Sequence, residues 1–259
     1  MDPRTRRAHG VLCASPSLFK LCSCDMTRPR VSNRLILLLI VVSCGNQATA
    51  QNGAAATTPE GVSFAYKFEN ARFYVPLMEI DLTPDNSGVL RFKRGESDEM
   101  LDLKFKLMPA TFARIRQLCE ASKFLTSDAD YQDKRDFSHL GWISISARQG
   151  EVSRKVRFNY TLNPEIRELA DIFRAIATQE IHVFDLETAQ QYQPLDLPGR
   201  LDALENDLRL ERLAEPERLL APLREIVGDD TQPLIARNNA TRIMEGIKKG
   251  KYKSPSKKQ

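Results

Sequence analysis

Histidine, cysteine and glycine are scarce where chemistry would need them. The chain of 259 residues holds three His, five Cys and 12 Gly. His9 and four of the cysteines, Cys13, Cys22, Cys24 and Cys44, come before residue 50, which leaves His139, His182 and Cys119 for everything that follows. A single cysteine excludes a disulfide framework within that part of the chain, and two isolated histidines supply no metal-ligand spacing. A glycine-rich phosphate loop, a dinucleotide fingerprint and a nucleophile elbow are all missing, so no cofactor, metal or catalytic residue is expected. Cys119 falls on the apolar side of a predicted helix and reads as a small buried hydrophobe, not a reactive thiol. Also missing is the run of ~20 apolar residues that spans a bilayer as a helix.

Basic surface is scarce too, once the charges are placed. Of 38 basic and 34 acidic residues, seven and two lie in residues 1–50, and six lysines (248, 249, 251, 253, 257 and 258) lie in the last twelve positions. Between Gln51 and Ile247 there remain 25 basic against 32 acidic residues, a net charge of −7. Nucleic acids are recognised through basic patches that displace counterions from phosphate, so an acidic body excludes that class of partner. The lysine-rich end reads as a solvated basic tail over residues 250–259.

What the first fifty residues do contain is an address. Met26 is followed by Arg28, Arg30 and Arg34, then the apolar run from Leu35 to Val42, then small residues up to Ala50. A positive segment, a short apolar segment and a small-residue cleavage site make an export signal of bacterial type, with Met26 the expected translation start and Ala50 the residue before cleavage. A second reading uses the same residues: Val41, Val42, Ser43 and Cys44 resemble a lipobox, in which Cys44 is lipidated and the chain stays tethered. Retention without cleavage is the third. In the first two readings the body is extracytoplasmic, either free in the periplasm or medium or anchored as a lipoprotein through residues 51–61.

The body changes period as it goes. Strands are expected near residues 64–68, over 72–82 with a break or edge at Pro76, and over 89–94 after the turn formed by Pro84, Asp85, Asn86, Ser87 and Gly88. Leu101, Leu103, Phe105 and Leu107 alternate with charged residues, the two-residue period of a half-buried strand. Pro109 then opens a helix carrying Phe112, Ile115, Leu118 and Cys119 at helical spacing. A hairpin follows: Ile143, Ile145 and Ala147 share one strand face, Val152, Val156, Phe158 and Tyr160 the other, joined at Gln149 and Gly150. Asn163 caps and Pro164 begins a second helix with Ile166, Leu169, Ala170, Phe173 and Ile176 as its buried stripe. Residues 181–184 read as a final short strand. The expected fold of residues 62–188 is α+β, an antiparallel sheet of about five to six strands with two helices on one face.

Residues 189–197 read as a linker containing Pro194, and residues 198–249 as a small all-helical appendage. Within it, residues 216–249 resemble a single HEAT-type helical hairpin, with Pro222, Asp229, Asp230, Pro233, Arg237 and Ala240 in roughly the expected order. Solenoid repeats need about three copies for stability, and no neighbouring copy accompanies this one, so an appendage packed on the main sheet is the preferred reading.

Three clusters invite a functional reading. Asp128, Asp130, Asp133, Asp136 and His139 begin like a calcium loop, but Gln132, Asp133 and His139 occupy its third oxygen, glycine and closing glutamate positions. Asp136 with His139, assisted by Asp130 or Asp133, would be the acid/base groups of an exported hydrolase if the 128–139 loop lined a cleft. Trp142 with Tyr160 would make an aromatic binding face, and Lys104, Lys106, Lys155 and Arg157 would bind a small ligand if they gathered on the face opposite the helices. His182 reads as a sheet residue. Asn159 and Asn239 match the glycosylation acceptor pattern, which behind a bacterial-style leader and without paired cysteines reads as a chance match. The expected function is a non-catalytic, exported interaction or envelope-associated module whose partner is a protein or envelope component; the exported hydrolase is the alternative.

Overall fold

The computed structural model describes residues 61–255 apart from Glu96 and Asp98. The leader with Met26, Cys44 and Ala50, most of the tether, and Lys257 and Lys258 lie outside the described residues.

Six strands form one sheet: β1 (Ser63–Glu69), β2 (Leu77–Leu82), β3 (Ser87–Lys93), β4 (Leu101–Lys106), β5 (Trp142–Gln149) and β6 (Val152–Phe158). Their order is β4-β3-β2-β1-β5-β6, with every neighbouring pair antiparallel. The fold is α+β, as the alternation predicts. Residues at even numbers in β1, β2 and β3 (Phe64, Tyr66, Phe68, Ile80, Leu82, Leu90 and Phe92) are buried, and their odd neighbours are not. That period of two gives the sheet a covered face and an open one.

Helices α1 (Pro109–Ala121) and α2 (Pro164–Tyr192) cover the first face. The Tyr66 ring stacks on Phe173 at 5.4 Å between centroids, and Phe64 meets Phe112 edge-on at 6.2 Å. Such pairs add about 0.5–1.5 kcal/mol beyond the area they bury. The α2 start is as the sequence predicts: Pro164 is its first residue and Asn163 Oδ1 accepts the Ile166 N–H at 2.8 Å.

Four local expectations are corrected. Strand β2 begins only at Leu77, because residues 70–76 close a loop in which the Asn70 N–H donates to the Pro76 carbonyl and Pro76 has no N–H for a ladder. Residues 181–184 are helix, not strand. Their β-branched and aromatic side chains sit inside a 29-residue α2 with no Gly or Pro between Pro164 and Tyr192 to stop it. The stretch read as a linker is that helix's last turn followed by a 3₁₀ turn at Pro194–Asp196, which runs directly into α3 (Leu197–Arg209). Residues 250–255 pack instead of trailing: the Tyr252 hydroxyl donates to Glu205 at 3.0 Å, and the Ser254 hydroxyl donates to the Ala214 carbonyl. Gly246 makes room, since a Cβ there would lie 2.6 Å from the Tyr252 ring.

The appendage consists of α3, α4 (Leu220–Gly228) and α5 (Leu234–Lys248). Its apolar core, with Leu201, Leu204, Leu223, Ile226 and Ile243, forms against Leu186 and Ala189 of α2. The first half of α2 therefore lies on the sheet and its second half carries the appendage.

Candidate functional site

The acids of the 128–139 loop are engaged locally. Asp130, Asp133 and Asp136 each accept the backbone N–H two residues on, from Gln132, Arg135 and Ser138, and Ser127 does the same for Ala129. Such turns form where a short polar side chain replaces a backbone acceptor, and their spacing of three residues winds the loop into a chain of them. The Arg135 side chain also bonds Asp133, and it holds that carboxyl below the usual range. The Ser138 N–H does so for Asp136, joined by the Asn159 amide at 2.8 Å. Groups held ionised in this way are poor general acids. His139 is exposed on a 3₁₀ turn, and among the described residues no hydrogen bond joins it to Asp136. Nor do the described residues contain a group of three or more His, Cys, Asp or Glu that could hold a metal ion.

The loop is clipped to the end of β6. The Asn159 side chain accepts from Gln132 Nε2 and the Phe137 N–H, and the Asn159 backbone N–H donates to Gln132 Oε1. Asn159 is thus buried in a network, not displayed for glycosylation, and Asn239 bonds Asp202 from α5. Arg154 holds the loop's other end through the carbonyls of Phe124 and Ala129 while lying over the Phe124 and Tyr131 rings. Trp142 and Tyr160 make no shared face. Arg157 covers Trp142 at 4.4 Å, and Arg135 covers Tyr160 at 4.7 Å.

A second charged cluster, which the sequence does not announce, is buried where the sheet layer meets the appendage. Arg218 reaches both Glu180 oxygens, at 2.5 and 3.3 Å, and Glu215 Oε2 at 3.3 Å. Glu215 Oε1 accepts the Met108 N–H at 2.8 Å just ahead of α1, and the Glu215 N–H donates to Gln179. The two carboxylate side chains are 7% and 1% exposed, so this is an interior ion cluster, not a substrate site. Burial pushes the Glu180 carboxyl up against the pull of Arg218, and Glu215 adds to the rise. Nearby, His182 is a helix residue and not a sheet residue: its Nε2 lies 2.9 Å from Asp207 of α3. Cys119 is buried and free, and burial pushes its thiol up to about 11.

The open face of the sheet is polar. Over β1 to β3 its charges answer one another: Lys67 bridges Glu69 and Glu79 at 2.9 and 3.1 Å, and Arg91 pairs with Asp81 and Glu79. Lys104 and Lys106 on β4 share this face with Lys155 and Arg157 on β6, but they do not gather. The two strands are opposite edges of the sheet, about 24 Å apart at ~4.8 Å per strand. Between them, over β1, β5 and β6, small residues such as Ser63, Ala65 and Ser146 leave a concavity of about 480 Å³, closed on the β2 side by Asp81, which Arg91 pairs, and Thr83.

Large apolar side chains are exposed at one end of the appendage. Tyr192 is 70% exposed, Leu195 87%, Leu234 64% and Ile235 61%. The first two close α2 and occupy the 3₁₀ turn after it; the other two open α5. The bond from Gln232 Nε2 to the Gln190 carbonyl at 3.2 Å brings those ends together. Asp196, Asp229 and Asp230 flank them in sequence.

No family model matches the chain, and no curated protein matches it in sequence. No helix among the described residues is long and apolar enough to cross a membrane.

Proposed function

We propose that the chain is an exported, non-catalytic interaction module, periplasmic, secreted or held by a lipid on Cys44, that docks a protein component of the envelope. The observation that carries this reading is the exposed apolar group of Tyr192, Leu195, Leu234 and Ile235 on a part of the fold otherwise well buried. Exposed apolar side chains grouped on a soluble protein mark interaction sites, and the Gln232–Gln190 bond brings together the chain ends that carry these four. Its flanking aspartates favour a partner surface whose apolar centre is rimmed by lysine and arginine. The engagement of the loop acids in local turns supports a binding role over a hydrolytic one.

The test is in-cell photo-crosslinking with a benzophenone amino acid at position 195 or 235 of the full chain, with position 116 on α1 as control. The expected result is one discrete adduct, confined to the extracytoplasmic fraction, present from 195 and 235, absent from 116, and abolished by Leu234→Glu. Adducts equal at all three positions, or none, would contradict the docking role. Intact mass of the protein recovered from its cells separates a start at Gln51 from an acylated Cys44. A full-length mass in the cytoplasm would contradict export.

A further inference from the structure

The charges of the open sheet face are unevenly matched, and the mismatch falls in its concavity. On the β2 side, Asp81 and Glu79 are answered by Arg91 and Lys67, and Arg157 lies 3.8 Å from Glu69 and over Trp142. On the β5–β6 side, Arg148 and Lys155 line the concavity, and among the described residues neither side chain has a hydrogen bond or an ion pair. The register places them as diagonal neighbours, because Arg148 faces Ser153 and Ser146 faces Lys155. Diagonal positions lie roughly 7–8 Å apart. Two like-charged side chains rooted that close together over the same hollow repel each other, and an anion between them relieves the repulsion.

The floor and walls between these cations are hydroxyls and small side chains. Ala65 pairs with Ser146, and Ser63 with Arg148, so β1 offers little bulk beside the two basic residues. Ser63, Ser146 and Ser153 have no hydrogen-bond partner for their hydroxyls among the described residues. A second hollow of about 210 Å³ continues past Ala65 and Lys155 to Ser144. Neither hollow has an exposed aromatic ring among its lining residues, so nothing in them stacks on a base or a flat sugar face. The first hollow, at about 480 Å³, falls within the ~300–1,000 Å³ typical of clefts that hold small molecules.

From this arrangement we infer that the concavity over β1, β5 and β6 is a binding site for a small polyhydroxylated oxyanion, a phosphorylated, sulfated or uronic sugar. Arg148 and Lys155 take the anionic group, and the serine hydroxyls take the hydroxyls of its carrier. Arg154, the third basic residue at the rim, is committed to the Phe124 and Ala129 carbonyls and does not share in binding. The site is separate from the apolar end of the appendage, so either assignment can fail without the other.

The experiment is titration of the full-length, ¹⁵N-labelled chain with glucose 6-phosphate, glucuronate, glucose 6-sulfate, neutral glucose and inorganic phosphate. The expected result is saturable shifts of the Ser146, Arg148, Ser153 and Lys155 amides with at least one of the three anionic sugars, and none with glucose. The preferred anion identifies the source of the ligand. Charge-assisted hydrogen bonds set the scale: Arg148→Gln with Lys155→Gln should weaken the preferred probe by about tenfold or more. Lys104→Gln with Lys106→Gln on the far edge should leave its affinity unchanged. An unaltered melting temperature shows that both variants remain folded. Binding of inorganic phosphate as tightly as the sugar anions would overturn the role of the hydroxyls. Absence of shifts at those amides, or affinity indifferent to Arg148→Gln and Lys155→Gln, would overturn the site.

Discussion

Two clusters of charged side chains in this protein look alike in composition and differ in every other respect. Asp130, Asp133, Asp136 and His139 are close in sequence, exposed apart from the half-buried Asp133, and bonded mostly within two residues of themselves. Glu180, Glu215 and Arg218 come from α2 and the approach to α4, are buried, and reach as far as Met108, 107 residues away. The first cluster shapes a loop; the second joins the sheet layer to the appendage. Acids adjacent in sequence satisfy nearby backbone donors at little cost, whereas acids assembled by tertiary folding are desolvated and must be matched.

This contrast can be broken at either end. The largest effect belongs to Arg218→Ala, which leaves Glu180 and Glu215 buried without their cation. Removal of one partner from a buried pair costs about 3–5 kcal/mol, so urea unfolding should show a loss of that order. A loss under 1 kcal/mol would place the cluster in water. Next is Arg154→Ala, which frees the Phe124 and Ala129 carbonyls and the ring stack beneath it; a loss of about 1–3 kcal/mol is expected, with greater proteolysis between residues 125 and 140.

A pH series sharpens the comparison. Burial raises the Glu180 carboxyl above its ordinary value of 4.5, so the folded state binds more protons than the unfolded one in the window above that value. The contribution of Glu180 to stability is then present at low pH and lost as pH rises through the window. Asp207, lowered by its bond to His182, has the opposite sign: its contribution is present above its ordinary value of 3.8 and lost as pH falls through the folded one. Unfolding midpoints of wild type and Glu180→Gln between pH 4 and pH 7 should show the wild-type advantage shrinking as pH rises. The smallest effect is at the loop. Asp136→Asn removes an exposed charge and should leave the unfolding midpoint almost unchanged.

The period of two in Leu101, Leu103 and Phe105 and in Ile143, Ile145 and Ala147 was legible, as were the Pro109 and Asn163–Pro164 helix starts, because each depends only on neighbours in sequence. The strand order was not, since nothing local tells β5 to pair with β1 across α1. The run Ile181–Phe184 carried a strand's composition and became helix because the turns before it propagate without a breaker. Tyr192 and Leu195 read as linker residues, and Leu234 and Ile235 as ordinary helix residues, until the ends of α2 and α5 are brought together. Arg148 and Lys155 gain meaning only from a register that aligns them beside Ala65 and the serines. Glu215 had no signal at all: a carboxylate that serves an N–H 107 residues away is visible only in three dimensions.

Native-state amide hydrogen exchange on the unmodified chain tests the contrast most directly, since it reads both clusters at once. The account predicts that the Met108 and Glu215 amides exchange only by opening close to global unfolding, while those of Gln132, Arg135 and Ser138 exchange through local opening several kcal/mol cheaper, about the span such measurements resolve. Equal protection at the two sets, or stronger protection in the loop, would contradict it.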